Sequence, residues 1–336
     1  MASSYSNIHP VDEILSSLVL EAVPSDDQLI ADKCMETVVI PERSGTLLIE
    51  NSRNFMGAGA GLDLERAPGS ERQSIGGFDR SSTTFKAKIY SARDSIAMED
   101  ILDSQYPGSE EARIARKVAR VMKLAKEQRA ADLLFGTGNF NNDTSTNEFT
   151  GKFNAAGATP LTYLDELKDT VFAAVHGINP DTLVFGRDLF RNIARNSEVR
   201  GYMTVGATPS GIAGGGDRIL NDGAVIDVLR DVLGIPNIYV GAARRDTAVP
   251  GATASEAYIW TADSLFCGVL RGADAIVQKS GGVKAMPAAA LNFQFGGMVA
   301  GQYDSIDSIA RYVYAEEVQT FQALDATYGR IITDCL

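Results

Sequence analysis

Between two β-type runs, Thr46–Ile49 and Thr83–Tyr90, the chain carries 32 consecutive residues, Asn51 to Ser82, that are polar and rich in glycine. They include Gly57-Ala58-Gly59-Ala60-Gly61, Arg66-Ala67-Pro68-Gly69-Ser70-Glu71 and Gly76-Gly77. So little apolar material gives the segment no core of its own. Loops of this length are uncommon inside a compact domain, and are functional or disordered where they occur. A long hairpin reaching onto another molecule accounts for it. The segment alternates charge sign, with Glu65, Arg66, Glu71, Arg72, Asp79 and Arg80 as candidate intermolecular contacts. Exposed ion pairs contribute only ~0–1 kcal/mol each, so such contacts have to act as a network.

After Pro107-Gly108 comes the strongest helix signal, Ser109–Phe135. Ser109 is a suitable N-cap, Glu110 and Glu111 fall in the first turn, and Gly136 suits the stop. Ile114, Val118, Val121 and Ala125 recur at helical spacing and predict one apolar side. Arg113, Arg116, Lys117, Arg120 and Lys123 form a basic stripe beside it. Its mixture with Glu110, Glu111 and Glu127 and its lack of interleaved aromatics favour a solvated face or a landing strip for an acidic neighbour over a nucleic-acid platform. At 1.5 Å per residue the helix is about 40 Å long.

The remainder alternates. Leu164–Val175, Arg187–Arg195 and Ala224–Leu233 read as helices. Thr182–Phe185, Asn237–Val240, Ala257–Trp260 and Phe266–Leu270 read as strands, as do the alternating tail segments Ser308–Glu316 and Arg330–Thr333. Val11–Ala31 reads as a short amphipathic helix with an acidic arm, followed by the β-type run Thr37–Ile40. The class is α+β, without an internal repeat.

Lys plus Arg number 31 against 43 Asp plus Glu, a net charge of −12, which disfavours indiscriminate binding of nucleic acid. No apolar run approaches the roughly 20 residues of a membrane helix. The N-terminus has no secretory pattern, and Cys34, Cys267 and Cys335 are scattered as free thiols of a reducing compartment are. Catalysis needs a nucleophile with a base, paired carboxylates or a metal. The two histidines are His9, in the irregular start, and His176, placed to end a helix at His-Gly. Gly151-Lys152 lacks the other phosphate-loop residues, and Gly136-Thr137-Gly138 follows a helix where a dinucleotide fingerprint must follow a strand. No catalytic, metal or cofactor-binding residue is expected.

The order of segments resembles that of the major capsid proteins of tailed bacteriophages, the Hong Kong 97-type shell proteins whose fold encapsulins share. Phe55 to Tyr90 is similar to the family's extended hairpin loop, or E-loop, and Ser109–Phe135 to its spine helix. Asn179–Phe190 with Asn196–Val199 is similar to the strand–Gly–helix opening its axial domain, and Leu233–Gly241 to a later helix-to-strand step. The resemblance implies an N-terminal arm over 1–45, the hairpin loop over 46–90, a peripheral domain over 91–160 containing the spine helix, an axial domain over 161–290, and returning peripheral strands over 291–336. It also implies a non-enzymatic subunit that assembles with itself as hexamers and pentamers into an icosahedral virion shell, made in the host cytoplasm. The shell would enclose double-stranded DNA without sequence-specific contacts. A portal and a cement protein are further partners, and no membrane or cofactor is implied.

Some relatives weld the shell through a loop lysine. No lysine stands between Lys33 and Lys86, so no isopeptide crosslink is expected from the distal loop. About 30 residues precede the first strand, so a separate scaffolding protein is expected in place of a long cleavable assembly segment. Two alternatives remain: an encapsulin-like cellular compartment, or a soluble α/β enzyme or ligand-binding protein. The last would need a convergent polar pocket, for which the sequence offers no candidates.

Overall fold

The computed structural model describes residues 28–50, 65–66, 68–69, 71–72, 80–103, 107–142, 152–155, 157–205, 222–249, 251–271, 278–279, 282–283, 288–305, 307 and 309–336. In order they form α1 (Ala31–Cys34), β1 (Thr37–Val39), β2 (Ser44–Glu50), β3 (Arg80–Lys86), β4 (Lys88–Ala97), α2 (Met98–Asp103), α3 (Pro107–Leu134) and β5 (Asn141–Asn142). There follow α4 (Pro160–Ala174), β6 (Thr182–Gly186), α5 (Arg187–Arg195), α6 (Ser197–Val205), α7 (Asp222–Leu233) and β7 (Asn237–Gly241). The C-terminal part holds β8 (Arg244–Asp246), β9 (Glu256–Tyr258), β10 (Leu265–Gly268), β11 (Gln278–Lys279), β12 (Gly282–Val283), β13 (Ala290–Gln294), β14 (Val299–Ser305), β15 (Ala310–Ala323) and β16 (Gly329–Ile332). The predicted helix and acidic arm of Val11–Ala31 lie almost wholly outside the described residues, as does most of the segment Asn51–Ser82, Asp79 included.

Two five-stranded sheets organise the chain. In the first, the 14-residue β15 is the axis. One of its edges pairs antiparallel with β4 from Ala310↔Ala97 to Gln319↔Lys88. The other receives β14 along 310–316 and β13 along 319–323, and β1 joins β13 in parallel. The second sheet has the order β5-β16-β10-β6-β7. Its central strands β6 and β10 are buried throughout, as a sheet covered on both faces requires.

β16 pairs with β10, Leu265↔Ile332 to Gly268↔Gly329. The segment 291–336 is therefore divided: β13–β15 belong to the first sheet and the last strand to the second. A 3₁₀ turn at Ala326–Tyr328, capped by the Asp325 side chain, redirects the chain so that Ile331, Ile332 and Cys335 are buried in the second core. The predicted strand at Ala257–Trp260 ends at Tyr258, and Trp260 leaves the hairpin to be fully buried against Phe135 and Gly241.

α3 runs through both cores and is about 42 Å long. Ile114, Ala115, Val118, Ala119 and Met122 pack on β4, β14 and β15, whereas Ala130, Ala131 and Leu134 belong to the core of the second sheet. At the crossover sits a polar joint. Glu127, 2% exposed, accepts the Ala31 backbone N–H at 2.6 Å and Trp260 Nε1–H at 2.7 Å. Its neighbour Lys126 reaches Asp32 at 2.6 Å and Glu317 at 3.2 Å. Burial pushes the Glu127 carboxyl above its ordinary value, only partly opposed by hydrogen bonds from Ala31, Trp260 and Ile30. Burial pushes the Lys126 ammonium the other way, but Glu317 and Asp32 outweigh it and hold the group above its ordinary value. One turn of α3 thus ties α1, the first sheet and the second core together.

His176 ends α4 as expected. It takes φ +58 before Gly177 at φ +97, and the Gly177 N–H closes on the Phe172 carbonyl at 2.9 Å.

All three cysteines are free and buried. Burial pushes the Cys267 and Cys335 thiols up to about 12 and Cys34 further still, so the reactive thiolate is scarce at neutral pH. A disulfide-exchange reagent at pH 8 is expected to titrate none of the three in the folded chain and all three in denaturant. A native count of one or more would contradict this burial.

Candidate assembly surfaces

The first surface is a hairpin. β2 and β3 pair antiparallel from Ser44↔Lys86 to Glu50↔Arg80 and form a sheet of their own. The base is anchored: Leu47 and Phe85 are buried, and Phe85 stacks on Phe293 at 4.7 Å with planes 14° apart. Farther out, Leu48 is 60% exposed and Arg80, Ser81 and Ser82 are exposed. A two-stranded ribbon is marginal in water by itself and needs a third body to cover it.

The second surface lies on the same sheet face as the hairpin base. Along β15, Val313 and Ala315 face α3, so alternation turns Tyr312, Tyr314 and Val318 to the opposite side. Val318 packs with the hairpin base. Farther along, Tyr303 stacks on Tyr312 at 5.2 Å, and Tyr314 tilts against Tyr303 at 6.2 Å. Arg93 donates to Tyr303 Oη at 2.6 Å while its guanidinium lies 5.0 Å from the Tyr312 ring centre. Tyr314 fits because Gly301 is opposite it: an added Cβ there would come within 2.6 Å of the Tyr314 hydroxyl. The result is a half-buried aromatic platform about 20 Å along the strand from the hairpin base.

The third surface is the basic stripe of α3. Arg113, Arg116 and Lys117 are exposed and Arg120 and Lys123 half-buried. Lys117 reaches Asp94 at 2.6 Å and holds that carboxyl below the usual carboxylate range. Glu111, beside the stripe, is engaged by Arg311, which also pairs with Asp304 at 2.7 Å.

Of the loop residues chosen from sequence, Glu65, Arg66, Glu71, Arg72 and Arg80 are all exposed, and Arg80 opens β3. Asp79 lies outside the described residues. Sequence reasoning missed the tyrosine platform, although the alternation Tyr303, Tyr312, Tyr314 was there to be read. Among the described residues no three His, Cys, Asp or Glu side chains are grouped to hold a metal ion, and no helix is long and apolar enough to cross a membrane.

No protein-family model and no curated protein matches the sequence. Solved structures do. A phage-related protein from Bordetella bronchiseptica superposes with a TM-score of 0.67 at 18% identity, over 97% of this chain and 98% of that one. The virus-like particle from Pyrococcus furiosus gives 0.54 at 10% identity, over 95% and 98% of the two chains. The capsid of the native GTA particle gives 0.51 at 13% identity, over 93% and 91%. With a spine helix crossing a long-stranded sheet, a projecting hairpin and a second sheet flanked by helices, the chain has the α+β Hong Kong 97-like capsid fold.

Proposed function

We propose that the chain is a major capsid protein: it assembles with itself as hexamers and pentamers into the icosahedral shell of a tailed-phage virion, enclosing double-stranded DNA. The observation that carries this is the end-to-end structural likeness, which pairs 93–97% of the chain with shell-type and phage-related proteins. The surfaces support it. A projecting hairpin and a separate receptive platform are two different patches, as a heterologous contact that closes by rotation requires. In this reading the hairpin of one copy covers the platform of Arg93, Tyr303, Tyr312 and Tyr314 on the next. Tyrosine and arginine are the residue types enriched in such contacts. Glu65, Arg66, Glu71, Arg72, Asp79 and Arg80 supply cross-subunit ion pairs around it, with Arg113, Arg116 and Arg120 as further charged surface. A separate scaffolding protein, a portal and a cement protein are the partners of assembly in the host cytoplasm. The role is structural rather than enzymatic.

Negative-stain electron microscopy of the purified chain, alone and co-expressed with its genomic neighbours, tests the proposal. Angular particles or rings of five and six are expected; a monomer or dimer in both samples would overturn it. The likeness to the virus-like particle keeps one second reading, a cellular compartment shell, which predicts particles filled with protein cargo and free of nucleic acid.

A further inference from the structure

The shell-forming role gives the basic stripe of α3 no more than a general part as charged surface. Between Glu111 and Glu127 the chain has no acidic residue, yet it has Arg113, Arg116, Lys117, Arg120, Lys123 and Lys126. Lys126 is buried in the joint with Asp32 and Glu317 and is turned away from solvent. At about 100° per residue, the other five fall within an arc of roughly 120° on the helix. The buried residues Ile114, Ala115, Val118, Ala119 and Met122 centre on the opposite side, against the first sheet. The stripe therefore faces out from the wall that α3 and the sheet make, on the side away from the tyrosine platform and the hairpin base, with Lys117 at its edge drawn back onto Asp94 at 2.6 Å.

From Arg113 to Lys123 the stripe is about 15 Å long. That length matches about four successive phosphates of one DNA strand at ~3.4 Å of rise each. Arginine suits phosphate because its planar fork donates in pairs. A net charge of −12 opposes indiscriminate binding by the whole surface, but screening at physiological salt confines that repulsion to about 8 Å, so a local stripe acts largely for itself. We infer that Arg113, Arg116, Lys117, Arg120 and Lys123 form a sequence-independent binding strip for the phosphate backbone of duplex DNA, on the face of the subunit turned to the enclosed nucleic acid. This rests on the shell reading for its biological meaning, though not for its test. Many copies along one wall would hold the duplex with weak contacts that sum.

The test is fluorescence anisotropy of a labelled 30-base-pair duplex of mixed sequence, titrated with the soluble full-length chain at several salt concentrations from 20 mM upward. The wild-type chain is expected to bind with a slope of log K against log salt of about −3, three to four phosphates being neutralised. The variant Arg113→Gln/Arg116→Gln/Arg120→Gln is expected to bind at least about tenfold more weakly at low salt, with a slope near −1. These side chains lie outside the core, so the variant should melt with the wild type, and circular dichroism checks that. Equal affinity and slope for the two chains, or no wild-type binding at 20 mM salt, would overturn the inference. So would a variant that keeps its DNA affinity and fails to form particles, which assigns the stripe to an acidic neighbouring subunit. Failure of the wild type itself to form particles would count against the shell reading alone.

Discussion

Replacing Glu127 with alanine lowers the stability of the folded chain by about 3 kcal/mol, and its melting midpoint by roughly 5 °C or more. The substitution leaves the Ala31 N–H and the Trp260 Nε1–H without the oxygens that accept them at 2.6 and 2.7 Å. Each buried donor so orphaned costs about 1–3 kcal/mol, offset in part because the burial of a charge is relieved. The pH dependence has a definite sign. Burial raises the folded carboxyl above its unfolded value, so the folded state holds the proton more tightly. Glu127's contribution is then fully present below the unfolded pKa and is lost as pH rises through the raised folded one. The difference in midpoint between the wild type and Glu127→Ala should accordingly be larger near pH 5 than at pH 8. An alanine variant that melts within about 1 °C of the wild type at both pH values would remove Glu127 from its place as the joint.

That joint was not legible in the sequence, and the reason is physical. Glu127 stands in a helix rich in charge, where a carboxylate reads as a solvated residue, and its partners at positions 31 and 260 are 96 and 133 residues away. Local pattern carries no information on such pairings. By contrast α5 runs over Arg187–Arg195 as the periodicity predicts, and α3 differs from its predicted bounds by two residues at the start and one at the end. The shift at the start reflects Pro107, which tolerates the first helical turn because its missing N–H would have no partner there. The hairpin β2–β3 was legible because an apolar-poor insertion between two β-type runs has few other solutions. Division of the last 46 residues between two sheets was not legible: β15 and β16 have similar alternation, and only the turn at Ala326–Tyr328 sends them to different cores. The tyrosine platform was hidden likewise, since register across β4, β14 and β15 is what sets Tyr303 beside Tyr312 and Tyr314.

Tyr312→Ala is expected to raise the subunit concentration at which particles form by about thirtyfold while leaving the isolated chain folded. Tyr312 is the middle of the platform, stacked on Tyr303 at 5.2 Å and overlaid by Arg93 at 5.0 Å. Within a single subunit the side chain is half-buried on an outer sheet face, so its loss there costs little beyond the stack. In the proposed contact, a neighbour's hairpin would make the same ring the centre of a desolvated interface, where truncating an aromatic anchor costs about 2 kcal/mol. At 1.4 kcal/mol per tenfold, that is a factor of about thirty for each contact. In the proposed shell every subunit would both offer one platform and insert one hairpin, so no copy would escape the loss. Light scattering against subunit concentration, with particles checked by microscopy, reads the threshold directly. If the variant assembles at the wild-type concentration, the hairpin is seated elsewhere. If it fails to assemble because the isolated subunit has lost its cooperative melt, the ring is holding β14 to β15 instead of binding a neighbour. A shifted threshold with an unchanged melt is the outcome that separates a surface built for a second copy from one built for the fold.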